Sequence, residues 1–406
     1  MESSSLEIAE KIENGIIKSV TLAKIACILN DDDILDEALK IAKKMDLLHY
    51  SETLSKIAVE LVKAGRFDDA LNIANEVVEE RFRLEALETI VSYLSDAKRF
   101  DKALEIAKRL RYRSQRALSN LSVKLAMEGD LEKSIEVAKM VREKSWKAET
   151  LAKLAYEFYN TNKPYEELFS KALNIARSIN DKAIRSRTLL RIAIEQAKAK
   201  KDYRAILDEG LRIEKNDIDI LNLSKSLVEI DEVDAALRAI EFIKEKYWKV
   251  EAMAILASIF RKTEYDLFEK AKELAMDIGS KELICEALSR IAVEMAKSGK
   301  SYDDVFEAVI ERAEGLDEFS KSKVLTNVVI DVLEVGDVGR AIKVSNKITD
   351  EIYQSEALFY ITSKLVKNGE IDKALEIAEK ISDVYWRSRA LSEIAVGLAK
   401  NPVSYK

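Results

Sequence analysis

Residues 54–74 read Leu54-Ser-Lys-Ile57-Ala58-Val-Glu-Leu61-Val-Lys-Ala-Gly65-Arg-Phe-Asp-Asp-Ala70-Leu-Asn-Ile73-Ala74. Apolar residues at 54, 57, 58 and 61 fall at i, i+3, i+4 and i+7, one face of an amphipathic helix. Gly65 then interrupts, and Ala70-Leu-x-Ile73-Ala74 starts a second helical face. Glycine suits a left-handed helix end, and aspartate suits the start of the helix that follows, so the stretch predicts an antiparallel helical hairpin with Asp opening its second arm.

The hairpin recurs. Ala-Leu-x-Ile-Ala is written clearly at Ala38, Ala70, Ala103, Ala172 and Ala374, with looser copies beginning at Ser5, Ser134, Ala205, Ala236, Ala271, Ala308 and Ala341. From Ser5 to Ala374, eleven steps average about 33.5 residues, the length of one helix pair. The partner phrase Leu-x-x-Ile-Ala-x-x-Leu lies between these copies, at Leu22, Leu54, Leu151, Leu288 and Leu391 among others. The copy at Leu189 fails only at Gln196. Composition agrees: 406 residues, 48% apolar and 34% charged, with only 11 Gly and 2 Pro to break helices. A single core stops growing near 250–300 residues, whereas a stack of repeats does not. The expectation is an all-α α-solenoid over residues 1–406, with 11–12 hairpins of roughly 33–34 residues and about 24 helices. Half-repeat caps are expected at 1–16 and 386–406, and a change of curvature near 198–215, where the phrase is weakest.

The spacing of Leu54-x-x-Ile57-Ala58-x-x-Leu61, Gly65 and Ala70-x-x-x-Ala74 resembles the tetratricopeptide (TPR) pattern in divergent form, across essentially the whole chain. Leu stands for the family's Trp, a small or β-branched residue for its helix-A Gly, and Ala for its Phe; the closing Pro is absent. Related helical-hairpin arrays share the spacing. The resemblance implies that inner positions of each repeat's first helix line a concave groove for a protein or peptide. On this chain those positions include Glu52, Ser55, Val59, Glu85, Glu88, Glu149, Tyr156, Tyr159, Arg187 and Lys225. They lack the paired Asn and Lys with which some TPR proteins hold a peptide carboxylate.

Catalytic chemistry finds little support in the residues. His49 is the only histidine, which excludes a multi-His metal site, and Cys27 and Cys285 are too few for a disulfide framework. Asp31-Asp32-Asp33 lacks the Gly and terminal Glu of a calcium loop and reads as a solvated turn. No glycine-rich phosphate loop occurs. No cofactor or metal is expected, and the chain reads as non-enzymatic. Trp146, Trp248 and Trp386 each precede the first stripe residue by five positions, as do Phe82, Tyr353 and His49. That phase marks a packed corner between repeats rather than a stacking platform for bases.

One region departs in charge. Nine basic residues between Lys98 and Lys124 (Lys98, Arg99, Lys102, Lys108, Arg109, Arg111, Arg113, Arg116 and Lys124) face only Asp101 and Glu105, in a chain of net charge −7. This stretch would serve an acidic protein tail or a phosphate backbone, the alternative being a solvated corner paired with acidic helices. The acidic total argues against nucleic acid as the main partner. The amino terminus shows no basic-then-apolar leader and no long apolar run occurs, so a soluble, cytoplasmic protein without membrane partner is expected. Three glutamines amid abundant Glu and Lys carry a thermophilic flavour. A protein-interaction scaffold is the leading expectation, a nucleic-acid-binding repeat the alternative, and an enzyme on a helical-repeat scaffold the least supported.

Overall fold

A computed structural model describes residues 2–110, 114–214, 216–259 and 267–401. Among them are 24 helices, numbered α1–α24 in chain order, and no strand. Even-numbered helices carry the Leu-x-x-Ile-Ala face and odd-numbered ones the Ala-Leu-x-Ile-Ala face, so the architecture is the expected array of antiparallel hairpins. The chain gathers into two compact units, one made of residues 1–83 and 257–406 and the other of residues 84–256.

Within each unit, neighbouring first-type helices pack side by side and pack on the second-type helices that follow them. In the first unit, α2 (Gly15–Leu29) lies against α3 (Asp32–Ala42) and α4 (Leu47–Lys63), and α4 against α5 (Phe67–Glu76). In the second, α8 (Gln115–Met127), α10 (Lys144–Asn160) and α12 (Lys182–Lys198) stack in the same way. Leu54, Ile57, Ala58 and Leu61 are all 0–1% exposed, as are Ala70 and Ala74. Alanines at i and i+4 let the two helix backbones approach, so the core is written as one small stripe against one large stripe.

The turn between the two arms keeps one conformation through different residues. Gly65, Gly129, Gly299, Gly336 and Gly369 have φ between +75° and +98°, and Asn30, Lys98, Asn162, Lys200 and Asp231 occupy the same left-handed region at the equivalent place. Arg66 N donates to Leu61 O across this turn (2.9 Å), which ties off the end of the first helix. A side chain with a Cβ is strained there. Lys200→Gly should therefore stabilise the chain by roughly 0.5–1 kcal/mol, the relieved strain less the glycine's unfolded-state entropy. An unchanged or lower urea midpoint would contradict this.

Side-chain caps fall in the phase opposite to the expected one. Asp46, Asp181, Asp317, Asp350 and Asp383, with Asn14, Asn216 and Ser280, cap first-type helices. Among the described residues, Asp31, Asp130 and Asp337 alone cap second-type helices in this way. Arg66 and Arg99 hold the N-cap position with side chains that carry no acceptor, and Glu370 makes no cap bond there, whereas Asp130 and Asp337 cap from a similar backbone. Asp68 and Asp69 instead sit in the first turn of α5, where they face the positive end of the helix dipole.

Two loose phrase copies shift register. A first-helix side chain bonds the carbonyl at the head of its repeat's second-type phrase: Ser19 to Ala38 (2.7 Å) and Ser122 to Ser134 (2.8 Å). By that bond the copy in α13 (Arg204–Ile213) begins at Gly210, the acceptor of Ser186 (2.7 Å), and not at Ala205. The copy in α19 (Asp303–Ala313) begins at Val309, which Cys285 approaches at 4.0 Å, and not at Ala308. A Cβ at Gly210 would lie 2.5 Å from Leu190 Cδ2, so this crossing takes the smallest residue. Pro164 precedes α11 (Glu166–Arg177) rather than occupying its first turn.

A second bond, between consecutive repeats, had no counterpart in the sequence reading. A buried polar side chain early in one first-type helix accepts the backbone N–H that opens the next: Ser51 from Glu79, Ser322 from Asp350 and Ser355 from Asp383, each at 3.2 Å and 28 residues apart. Gln115 and Asp217 serve Glu143 and Glu245 over the same interval. Ser388 occupies this position in α24 (Val384–Lys400), and it accepts from Asn14 N at 3.3 Å.

The two ends of the chain are thus neighbours within one unit. α24 packs against both α1 (Glu2–Glu10) and α2 as any first-type helix packs against the helices of its own and the next repeat. Thr21 and Ser392 hydroxyls share a hydrogen bond (2.7 Å), and Arg387 pairs with Glu13. Of the half-repeats expected as polar caps at 1–16 and 386–406, the described residues, 2–16 and 386–401, pack on each other, and Ile8, Ala9 and Ile12 are buried. No helix among the described residues is long and apolar enough to cross a membrane.

Candidate functional site

The residues singled out by sequence divide into those that the packing consumes and those left at the surface. In the second unit, Glu149 is only 6% exposed, with both carboxylate oxygens 2.7 Å from the Arg191 guanidinium. Arg187 bonds Asp219 (2.9 Å) and Lys225 bonds Glu251 (3.2 Å). Lys198 lies 5.7 Å over the Tyr156 ring, and Tyr159 meets Tyr165 edge-on at 5.4 Å. Ser55, read as a groove position, is instead buried and donates to Phe82 O (3.0 Å) between repeats. Val59 is half-buried.

Such pairs join one first-type helix to the next. The first unit continues the theme from α18 (Lys281–Lys297) to α20 (Glu318–Val335): Arg290 bonds Asp331 (2.9 Å) and Glu334 (3.2 Å), and Lys323 bonds Glu282 (2.6 Å). Burial pushes the Asp331 carboxyl above its ordinary value, while the Ser289 hydroxyl and the Arg290 guanidinium pull it down. Many charged side chains between neighbouring first-type helices are therefore neutralised within each unit.

Glu85, Glu88 and Arg116 are brought together elsewhere. With Thr89, Ser92, Tyr93, Ala117 and Asn120, they line an open cavity of about 360 Å³ between α6 (Glu80–Asp96) and α8. The i, i+4 and i+8 spacing places Glu85, Thr89 and Tyr93 on one face of α6, opposite the first turns of α8. The lining offers carboxylates, hydroxyls, an amide and a guanidinium, all in reach of solvent. Glu85 makes no ion pair among the described residues. Glu52 stands apart in the first unit, paired with Lys56 (2.7 Å).

The described residues of the basic run lie at several places. Lys98, Arg99 and Lys102 lie at the turn into α7 (Phe100–Arg109), whereas Lys108 and Arg109 end that helix, about 15 Å further along its axis. Arg116 belongs to the α6–α8 cavity. Lys98 pairs with Glu128 (2.6 Å) and Lys124 with Asp96 (2.9 Å). Arg111 and Arg113 lie outside the described residues.

The remaining candidates are unpromising as reactive groups. Burial pushes both the Cys27 and Cys285 thiols up, away from the thiolate a nucleophile needs. His49 is exposed rather than packed in a corner, and its bond to Asp46 raises its pKa. Phe82 is buried and the three tryptophans are half-buried at helix starts, consistent with their shared phase. Asp31 caps α3 and Asp32 pairs with Arg66 (2.8 Å). Among the described residues no group of three or more His, Cys, Asp or Glu is arranged to hold a metal ion.

The chain is an all-α helical-repeat protein. No protein-family model matches it, and no curated protein does. Among solved structures it is similar to the crystal structure of Ton1535 from Thermococcus onnurineus NA1, at 19% identity, covering 92% of this chain and 98% of that one, with a TM-score of 0.34. It is also similar to a structure of Naa15/Naa10 bound to HypK-THB, at 16% identity, covering 92% of this chain and 65% of that one, with a TM-score of 0.25. At these identities the likeness concerns the fold alone.

Proposed function

We propose that this chain is a non-catalytic, tetratricopeptide-like interaction module that holds a protein or peptide segment on the inner face of its first-type helices, with the α6–α8 cavity as a contact point. The supporting observation is the contrast along that face. From α10 onward its charged residues are largely spent on one another, whereas the α6–α8 cavity keeps a varied polar lining open to solvent, with Glu85 unpaired. The Glu85 carboxylate is not drawn into an ion pair among the described residues, and a polar, shaped recess is what a partner's side chains need. A soluble, cytoplasmic setting belongs to this reading. The nucleic-acid alternative is less favoured, because the run from Lys98 to Lys124 is split between two ends of α7 and partly neutralised by Glu128 and Asp96.

Affinity capture from a lysate at low and moderate salt, with and without nuclease, separates the two. A salt-resistant protein should be recovered by the native chain and lost with Glu85→Lys, whose melting temperature should stay unchanged because the side chain is exposed. Recovery that nuclease abolishes, or capture indifferent to Glu85→Lys, would remove this assignment of the cavity.

A further inference from the structure

A second recess lies in the first unit, where α24 meets α2 and α4, and residues almost the whole chain apart build it. Its volume is about 470 Å³, within the range of roughly 300–1,000 Å³ usual for small-ligand sites. Ile16, Ile17 and Val20 of α2 form an apolar wall, Tyr385 and Arg389 come from α24, and Lys24 and Glu52 reach in from α2 and α4.

Arg389 is held in an unusual way. Its guanidinium lies 4.3 Å from the Phe359 ring centroid, 5.1 Å from that of Trp386 and 5.8 Å from that of Tyr385. The rings are themselves fixed, Phe359 against Trp386 at 5.3 Å and Tyr385 against Trp386 at 5.3 Å. The three rings hold the guanidinium in place by cation–π attraction, and a fixed planar guanidinium suits bidentate recognition of an acceptor. Among the described residues neither Arg389 nor Lys24 makes an ion pair. The charged groups of the α18–α20 inner face, by contrast, are consumed by pairs such as Arg290–Asp331.

The charge balance narrows the ligand. Glu52 is matched by Lys56 at 2.7 Å, which leaves Lys24 and Arg389 against Glu393 in the lining and Glu356, which acts on Arg389 from outside it, so the recess carries at most one net positive charge beside an apolar wall. A phosphate monoester carries close to two negative charges at neutral pH and would exceed that balance with Glu393 present. A carboxylate carries one. We propose that this recess binds a single carboxylate joined to an apolar group, with Arg389 and Lys24 taking the carboxylate and Ile16, Ile17 and Val20 the apolar part. The source is either a free small acid or a glutamate within an apolar peptide. The site lies in a different unit from the α6–α8 cavity and does not depend on the reading of that cavity.

Calorimetric titration of the full chain with 4-phenylbutyrate and with its neutral amide tests the chemistry, and Trp386 fluorescence reports on the recess. The acid should bind at least about tenfold more tightly than the amide, the scale of a charge-assisted bidentate contact. Arg389→Gln should erase that difference. Lys24→Gln, which removes a charge without touching the aromatic cluster, should weaken the acid several-fold at an unchanged melting temperature. A blocked Leu-Leu-Glu-Leu-Leu peptide, against its Gln counterpart, identifies the source: tighter binding than phenylbutyrate assigns a peptide and weaker binding a free acid. Equal affinity for acid and amide, acid binding indifferent to both substitutions, or tighter binding of phenyl phosphate would overturn the proposal.

Discussion

Replacing Ile8 and Ile12 together by alanine should lower stability by about 5 kcal/mol and loosen a helix nearly 380 residues away. Both side chains are buried, at 6% and 3% exposure, in the half-repeat that α1 forms with α24. A large-to-small change in such a core costs about 2–5 kcal/mol per residue, from lost burial and the cavity left behind. α1 packs on α24 as a second-type helix packs on its first-type partner, and Ser388, Thr21 and Arg387 add polar contacts across the same junction. The specific readout is amide exchange. Protection should fall along 384–400 as strongly as along 15–29. If exchange in 384–400 stayed at the native level while 15–29 opened, the pairing of the two ends would be wrong.

Arg290→Met should cost about 3 kcal/mol at pH 7.5 and much less near pH 4. Asp331 has 9% side-chain exposure and relies on Arg290 and Ser289 for its charge, and removing one partner of a buried pair typically costs 3–5 kcal/mol; the lower end applies because Arg290 is itself 29% exposed. The sign follows from linkage. The Asp331 carboxyl titrates higher in the folded than in the unfolded chain, so the folded state holds its proton more tightly. Its contribution is most favourable below about pH 4, near the unfolded value, and declines as pH rises toward the folded midpoint. Without the guanidinium that midpoint rises further, and the penalty extends to higher pH. Denaturant midpoints for both chains at pH 4 and 7.5 should therefore diverge with pH; a gap of equal size at both would mean that Asp331 charge plays no part.

The inner-face candidates show why a site is harder to read than a fold. Glu85 and Glu149 occupy comparable helix positions and are chemically identical in sequence, yet one lines an open cavity and the other is buried beneath Arg191. The partner lies 42 residues further on, and nothing in either repeat's own pattern announces it. Arg389 carries no local signal for a related reason, since its neighbours Ile16 and Lys24 stand more than 360 residues away in the sequence. A signal did exist for the inter-repeat bonds: buried polar residues such as Ser51, Ser322, Ser355 and Ser388 recur early in their helices, where an apolar residue would be expected.

The sequence by itself determined the hairpin, its period, the alternation of the two helix types and the place of each turn. Those depend on side chains within about 34 residues, where 3.6-residue periodicity and the alanine stripe leave one way to bury the apolar face. Even there, the left-handed turn at Lys98 and Lys200 shows the fold imposing a conformation that the residue would not choose. Only the tertiary structure decided that α1 completes α24, that charges such as Glu149 and Arg191 neutralise one another, and that Lys98 pairs with Glu128 and Lys124 with Asp96. Each of these depends on which repeats come to lie side by side, and local periodicity is the same whether a helix face meets water or a residue several hundred positions away.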